Sequence, residues 1–517
     1  MRKSTSGDRF LRLYQAVPHA KGMTCGGALS HNPLPHMLFN SLQFFFFLPL
    51  VFFLYWGIKG RKAQNLLIVV ASYVFYGWWD WRFLLLIALT SACSYLSGIH
   101  IERRPQHGRQ LMVFNLLFNL GILGVFKYYN FFADNFSLLL HAVGLTVDLP
   151  TLRIILPVGI SFYTFQALSY TIDIYRKQLR ATTDPVEFFA FISFFPQLVA
   201  GPIERATRLL PQFQRPRTFD YDKATDGLKQ MLWGFFKKIV VADSCAVGVE
   251  NIFSNYPSMS GGLLFVGGVL FAFQIYGDFS GYSDIAIGTA RLFGIDLMRN
   301  FNIPYFSRNI SEFWSRWHIS LTSWFRDYLY IPLGGNREGR LRTLRNTLIV
   351  FLVSGIWHGA NWTFVCWGLY HALLIIVFFL LGIKRQPTVV ATNSFFPSAK
   401  ECAQMAITFF LVIIGWIIFR SENMSVAYHY IARMFTTPWT DFSARSFIDL
   451  AVLKDALIGC AIMLLVEWLQ RRKAHGLEFK MSGFMRWTAV RWSLYLFLIY
   501  TIFYCVRTQT EFIYFQF

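Results

Sequence analysis

Apolar runs long enough to cross a bilayer recur along this chain, and they restrict its fold more than any other feature. They cover 37–58, 83–101, 154–175, 364–383, 404–419 and 492–506. A membrane-spanning helix needs about 20 mainly apolar residues, and in lipid its backbone polar groups must be satisfied within the segment. The sequence therefore predicts an all-α, polytopic integral membrane protein. Composition agrees: 55% of the 517 residues are hydrophobic and only 15% are charged, less charge than a soluble chain of this length carries.

The basic residues say how the runs are arranged. There are 48 Lys+Arg against 28 Asp+Glu, a formal net charge of +20. They gather between the apolar runs, as KGRK at 59–62, RRPQHGR at 103–109, RKQLR at 176–180, RPR at 215–217, REGRLRTLR at 337–345, KR at 384–385 and RRK at 471–473. That is the positive-inside pattern of cytoplasmic loops, so no nucleic-acid partner is expected. An even number of crossings must separate successive basic loops. Eleven to twelve crossings meet this rule, the full set being 37–58, 64–79, 83–101, 110–126, 153–175, 226–250, 262–285, 344–357, 360–383, 403–420, 451–469 and 487–507. The segments 64–79 and 344–357 are short enough to tilt or re-enter.

Two stretches read differently. FFADNFSLLLHAVGL at 131–145 carries a polar stripe and is expected to lie at the outer interface. The stretch 188–213 is broken by Pro196, Gly201 and Pro202 and is expected to enter the membrane and turn back. Residues 1–36 fit neither pattern. Arg2, Lys3, Arg9, Arg12 and Lys21 resist export, and no compact apolar core of a signal peptide follows them. We read Met37 as the true start, 1–36 as a disordered or non-native extension, and 37–517 as one transmembrane domain.

Ionisable residues within membrane segments are expensive and tend to mark sites. IYGDFSGYSDIAIGTARLFGI at 275–295 holds Asp278 and Asp284, which could wall a tunnel, form a hydrogen-bond hub or end an exposed helix. In 313–330, helical spacing puts Trp314, Trp317, Leu321 and Trp324 on one face with Arg316 and His318 beside it; an interfacial aromatic belt is the plainer reading. VSGIWHGANWTF at 353–364 sets His358 between Gly355 and Gly359, where a ligand or a backbone can come close, though a buried core histidine fits as well. Gln197 could line a cavity or simply pack. A neutral histidine can take a proton from an alcohol and so promote its attack on a thioester or ester, which is worth about 10²–10⁴ in rate. The chain has no G-x-S-x-G elbow, CxxC or HExxH, which disfavours nucleophilic hydrolases and zinc enzymes, and no metal is expected. The seven cysteines read as buried free thiols.

SEFWSRWHISLTSWFRDYLYIPLGGNR, WHGANWTFVCWGLYHALL, PVGISFYTFQALSYTIDIYR, FPQLVAGPI and DFSGYSDIAIGTARLFGI together resemble the membrane-bound O-acyltransferase family, in particular its bacterial alginate O-acetyltransferase branch. The likeness runs over 37–517 and implies a ring of helices around a thin centre. A tunnel would admit the acyl donor from the cytoplasm, and an outer funnel would admit the acceptor. It makes His358 the catalytic histidine and His318 the second signature position. Trp317, Arg316, Asp278, Asp284, Gln197 and Asn361 become weaker candidates for lining the path. It implies no tightly bound cofactor, acetyl-CoA as donor, a bacterial inner-membrane location, and O-acetylation of an extracellular polysaccharide. A periplasmic SGNH-like acetyltransferase and a polysaccharide export complex would be the partners. The competing readings are D-alanyl transfer to teichoic acid, a proton-coupled transporter, whose internal repeats are not seen here, and a non-catalytic synthase subunit. N-terminal sequencing of the native product is expected to return Met37; recovery of Met1 would overturn that start.

Overall fold

The computed structural model describes residues 37–145, 150, 152, 156–383, 389–392, 394–440, 450–479, 483–506 and 512–513. The expectation for 1–36 lies outside the described residues. Among those described, all regular structure is helical.

Six helices are long and apolar enough to cross a membrane: Phe83–Arg103, Pro105–Ala142, Gly261–Leu292, Trp362–Leu380, Ala399–Arg420 and Thr488–Cys505. The other expected crossings are helical too, but shorter or more charged. Leu42–Gly57, Arg61–Gly77 and Ile160–Tyr175 have 16 or 17 residues. Arg340–His358 opens with Arg340, Arg342 and Arg345, and Leu450–Leu469 carries Lys454, Asp455 and Glu467. Burial sorts the long helices. Thr488–Cys505 is 6% buried and Pro105–Ala142 17%, so their apolar faces are left to lipid, whereas Gly261–Leu292 is 78% buried and forms the core.

Local structure refines one expectation and corrects another. The segment 131–145 is not a free-standing helix. Tyr129–Ala142 continues Gly108–Leu123 through a widened π-helical turn at Gly124–Tyr128. Nor is 313–330 one helix with a single aromatic face. Ile310–Arg316 and Ile319–Phe325 are separate, and the break at His318 has φ 43° and ψ 54°. The left-handed region costs a residue with a Cβ about 1–2 kcal/mol, so tertiary bonds must hold this turn. The stretch 188–213 is interrupted around Pro196, Gly201 and Pro202. Pro185–Ser193, the turn Phe195–Leu198 and Ala206–Phe213 fold inward and bury most of their side chains.

The core is built on close approach of two helices. Tyr221–Phe235 packs on Gly261–Leu292 with Gly234 facing Gly281. A Cβ on Gly281 would come within 2.8 Å of the Gly234 carbonyl oxygen, and one on Gly234 within 2.7 Å of the Gly281 oxygen. Small residues permit such backbone contact between membrane helices. The first helix then runs into a second π-helical turn, Phe236–Asp243, which presents two consecutive lysines to the same neighbour. Lys237 Nζ lies 2.6 Å from Asp284 Oδ2, and Lys238 Nζ lies 2.6 Å from Asp278 Oδ1 and 2.9 Å from Asp243 Oδ1.

Polar contacts gather several basic segments at one end of the bundle. Arg61 pairs with Glu187 at 3.0 Å, and Arg217 donates to Asn65 at 2.6 Å. Lys223 meets Asp296 at 2.6 Å, His475 meets Asp226 at 3.0 Å, and Arg299 donates to the Lys473 carbonyl at 3.2 Å. Gly281→Val is expected to separate the two core helices and destabilise the protein by about 1–3 kcal/mol. A lower melting temperature in detergent checks this; an unchanged one would mean that the contact yields freely.

Candidate functional site

His318 and His358 lie forty residues apart in sequence and both border one indole in space. The Trp357 ring centroid is 4.8 Å from that of His358 and 6.1 Å from that of His318. Both imidazoles are buried, at 1% exposure for His318 and 6% for His358. Aromatic rings hold each in place. Phe279 meets His318 edge to face at 4.6 Å, and Trp367 and Phe419 meet His358 at 5.0 and 5.4 Å. Trp357 itself stacks on Phe165 at 5.6 Å, and Phe165 stacks on Trp324 at 4.1 Å. Part of the expected aromatic face thus supports the site from behind.

His358 is the last residue of Arg340–His358, where the carbonyls of the final turn lack helical partners. Lys127 supplies two bonds. Its Nζ donates to the Trp357 carbonyl at 2.8 Å and to the His358 carbonyl at 2.9 Å, and Tyr128 donates to Ile356 O at 2.9 Å. Both residues sit in the 124–128 π turn, and a cation there also complements the negative end of the helix dipole. Lys127, His358 and Trp357 line a cavity with Pro157, Gly159 and Phe162. On the other side, Asn300 bonds to His318 and lines a second cavity with Lys237, Asp284, Arg299, Glu467 and Lys473. In that cavity Glu467 accepts from the Tyr276 hydroxyl at 2.6 Å.

The remaining sequence candidates spread out around this pair. Asp284 is in the polar cavity, bonded to Lys237 and, at 2.8 Å, to Gln230. Asp278 is a buried hub that accepts from Lys238 and, at 2.6 Å, from the backbone N–H of Ile513. Trp317 packs among Phe301, Phe313 and Trp416, with centroids at 5.0, 5.6 and 4.8 Å. Arg316 turns to an ion-pair cluster: it donates to Glu312 at 2.6 Å, and Glu312 also binds Arg308. Gln197 donates to the Phe191 carbonyl at 3.1 Å. Asn361 caps Trp362–Leu380 and donates to the Glu422 carbonyl at 2.8 Å.

Three residues beside the pair escape a reading of the sequence. Lys127 follows directly on an apolar run and looks like the charged end of a crossing. Asn300 stands in MRNFNIPYF, which carries no pattern. His371, buried and accepting from Trp314 Nε1 at 3.3 Å, is one polar residue in an apolar helix, the same signal that picked out His358. Among the described residues, no group of three or more His, Cys, Asp or Glu is placed to hold a metal ion.

The sequence profile of the MBOAT, membrane-bound O-acyltransferase family, matches residues 67–418. A probable alginate O-acetylase of Pseudomonas aeruginosa is 39% identical over 83% of this chain and 81% of its own. A peptidoglycan O-acetyltransferase of Helicobacter pylori is 32% identical over 93% of this chain and 98% of its own. A teichoic acid D-alanyltransferase of Bacillus subtilis is 30% identical over 51% and 68%. The match covers both histidines and the helices that carry them, and with it the all-helical, multi-pass architecture is accounted for: the chain belongs to the membrane-bound O-acyltransferase family and is an O-acyltransferase.

Proposed function

We propose that this protein carries acetyl groups from acetyl-CoA on the cytoplasmic side of a bacterial inner membrane to a hydroxyl acceptor on the far side, for O-acetylation of an extracellular polysaccharide. The observation that carries the reading is the histidine pair around Trp357, with a basic polar cavity on the His318 side and a second cavity on the His358 side. Lys237, Arg299 and Lys473 suit the phosphates of a coenzyme A donor. Their cavity borders the RRK loop at 471–473, which the positive-inside rule assigns to the cytoplasm.

In this mechanism His358 accepts the proton of the acceptor hydroxyl as its oxygen attacks the thioester carbonyl. The C–S bond breaks, the thiolate leaves, and the proton passes from His358 to the sulfur. His318 shapes the donor side, while Lys127 and Tyr128 hold the helix end that carries His358. A periplasmic SGNH-like protein would take the acetyl group onward within an export complex. Relatives named as O-acetylases or O-acetyltransferases match 77–93% of this chain, and those named D-alanyltransferases 42–51%, which supports acetyl over D-alanyl transfer. An alginate-like polymer is the favoured final acceptor.

Polymer-bound acetyl in cells lacking the native gene tests this, with protein levels matched by immunoblot. His358→Ala is expected to lower acetylation by at least about 10²-fold. Unchanged acetylation would remove His358 from the chemistry and leave a scaffold or a transporter. Lys127→Met keeps the aliphatic stem but uncaps the His358 carbonyl and leaves that of Trp357 only the longer Tyr128 contact at 3.4 Å, at a cost of about 1–3 kcal/mol. It is expected to lower melting temperature and acetyl transfer together, and a loss of neither would show that the cap is dispensable.

A further inference from the structure

Asn300 holds His318 from several directions. Its backbone carbonyl accepts from Ile319 N at 2.8 Å, and the neighbouring Asn302 N donates to the Arg316 carbonyl at 2.9 Å. These two bonds straddle the turn and hold His318 at its left-handed φ. The side chain then takes the imidazole. Asn300 Oδ1 lies 3.0 Å from His318 Nδ1, 3.3 Å from the backbone N of Ser320 and 2.9 Å from Ser320 Oγ. Asn300 Nδ2 donates to Ser283 Oγ at 3.3 Å, which ties the group to the Gly261–Leu292 helix.

The chemistry of these partners fixes what the distances leave open. A backbone N–H can only donate, so the Asn300 atom facing Ser320 N is the oxygen. An amide oxygen can only accept, and Nδ1 lies closer to it, at 3.0 Å, than to the Ser320 hydroxyl, at 3.4 Å, which itself donates to Asn300; His318 Nδ1 therefore carries the hydrogen it shares with that oxygen. A neutral imidazole has one N–H, and its lone pair is then on Nε2. Phe279 packs edge to face against the ring in this orientation, at 4.6 Å.

We propose that Asn300 is the positioning residue of His318, fixing the tautomer with its lone pair on Nε2 so that His318 enters acyl transfer as a proton or hydrogen-bond acceptor. A neutral amide does this without adding a second charge to a buried ring, whereas a carboxylate would favour the imidazolium. The inference rests on the acyl-transfer reading for its consequence in rate, but the tautomer itself does not.

Two measurements separate these levels. In ¹⁵N-histidine spectra of the full chain in lipid nanodiscs, with His318 assigned by the signal lost in His318→Gln, the wild type is expected to show the Nδ1–H tautomer. Asn300→Leu is expected to show a mixture. An Nε2–H tautomer in the wild type, or an unaltered spectrum in Asn300→Leu, would overturn the proposal. In membranes supplied with acetyl-CoA, Asn300→Leu is expected to lower kcat by about 10–100-fold, with KM for acetyl-CoA within about 3-fold. Asn300→Gln, which keeps a neutral amide oxygen to accept from Nδ1, is expected to recover part of that loss. Equal losses in both, or a change in KM alone, would make Asn300 a lining residue and not a positioning one. If Asn300→Leu does not reach the membrane, Ser283→Ala frees the same amide at little cost in volume. It is expected to mix the tautomers partially, and an unmixed spectrum counts against the proposal. Full transfer by His318→Gln would sink the acyl-transfer role of His318 while leaving the tautomer assignment standing.

Discussion

Two adjacent lysines on a π-helical turn bond to two aspartates of the core helix Gly261–Leu292, and the interior is organised around those bonds. Lys238 is held between Asp278 and Asp243, and Lys237 by Asp284. Neighbouring side chains on a helix diverge by about 100°, yet from this turn both lysines reach one partner helix. Removing one member of such a buried set costs about 3–5 kcal/mol, because the others remain charged. That cost ties the register of Tyr221–Phe235 to that of Gly261–Leu292, and the Gly234–Gly281 contact needs the same register. Phe279 and Ser283, which meet the ring of His318 and the amide of Asn300, are then fixed by the helix that carries the aspartates.

The other half of the site depends on a second widened turn. Lys127 and Tyr128, both in the π turn at 124–128, face the last carbonyls of Arg340–His358. A helix end inside a membrane protein needs such donors, since water is not there to supply them. The helix end at His358, before the gap at Gly359, is thus stabilised from outside, and the ring at that end can face a cavity.

Much of this was legible in the sequence, for identifiable reasons. The helical membrane architecture follows from apolar run length. His318 and His358 stand out because a histidine among Trp, Gly and Leu needs a reason to be there. The broken segment after Pro185 follows from Pro196, Gly201 and Pro202, which no helix absorbs easily. What was hidden has a common origin. Hydropathy does not distinguish a helix covered by lipid from one covered by protein, so Gly261–Leu292 and Thr488–Cys505 read alike although one is core and the other rim. A π turn leaves no mark in composition, so Lys127 looked like a loop boundary. The left-handed turn at His318 depends on Asn300 and Asn302, which meet it only in the folded chain, and a continuous helical face over 313–330 was the natural misreading. Arg316 was drawn toward the histidine by proximity in sequence, while the break in the helix turns it toward Glu312.

The arrangement also bears on direction. A transporter must expose one site alternately to both sides, which calls for helices that move past one another. Here the histidines are wedged among Phe279, Trp357, Trp367 and Phe419, and their backbones are bonded on both flanks. Moving either ring would break several of these contacts at once. A pair wedged between two cavities suits the proposed acyl transfer, in which the group moves past fixed side chains. Under the proposed acetyl transfer, the donor phosphates remain with the basic groups around Arg299 while the acceptor approaches from the Lys127 side. Vectorial transfer then needs no conformational cycle, only two entrances to one fixed point.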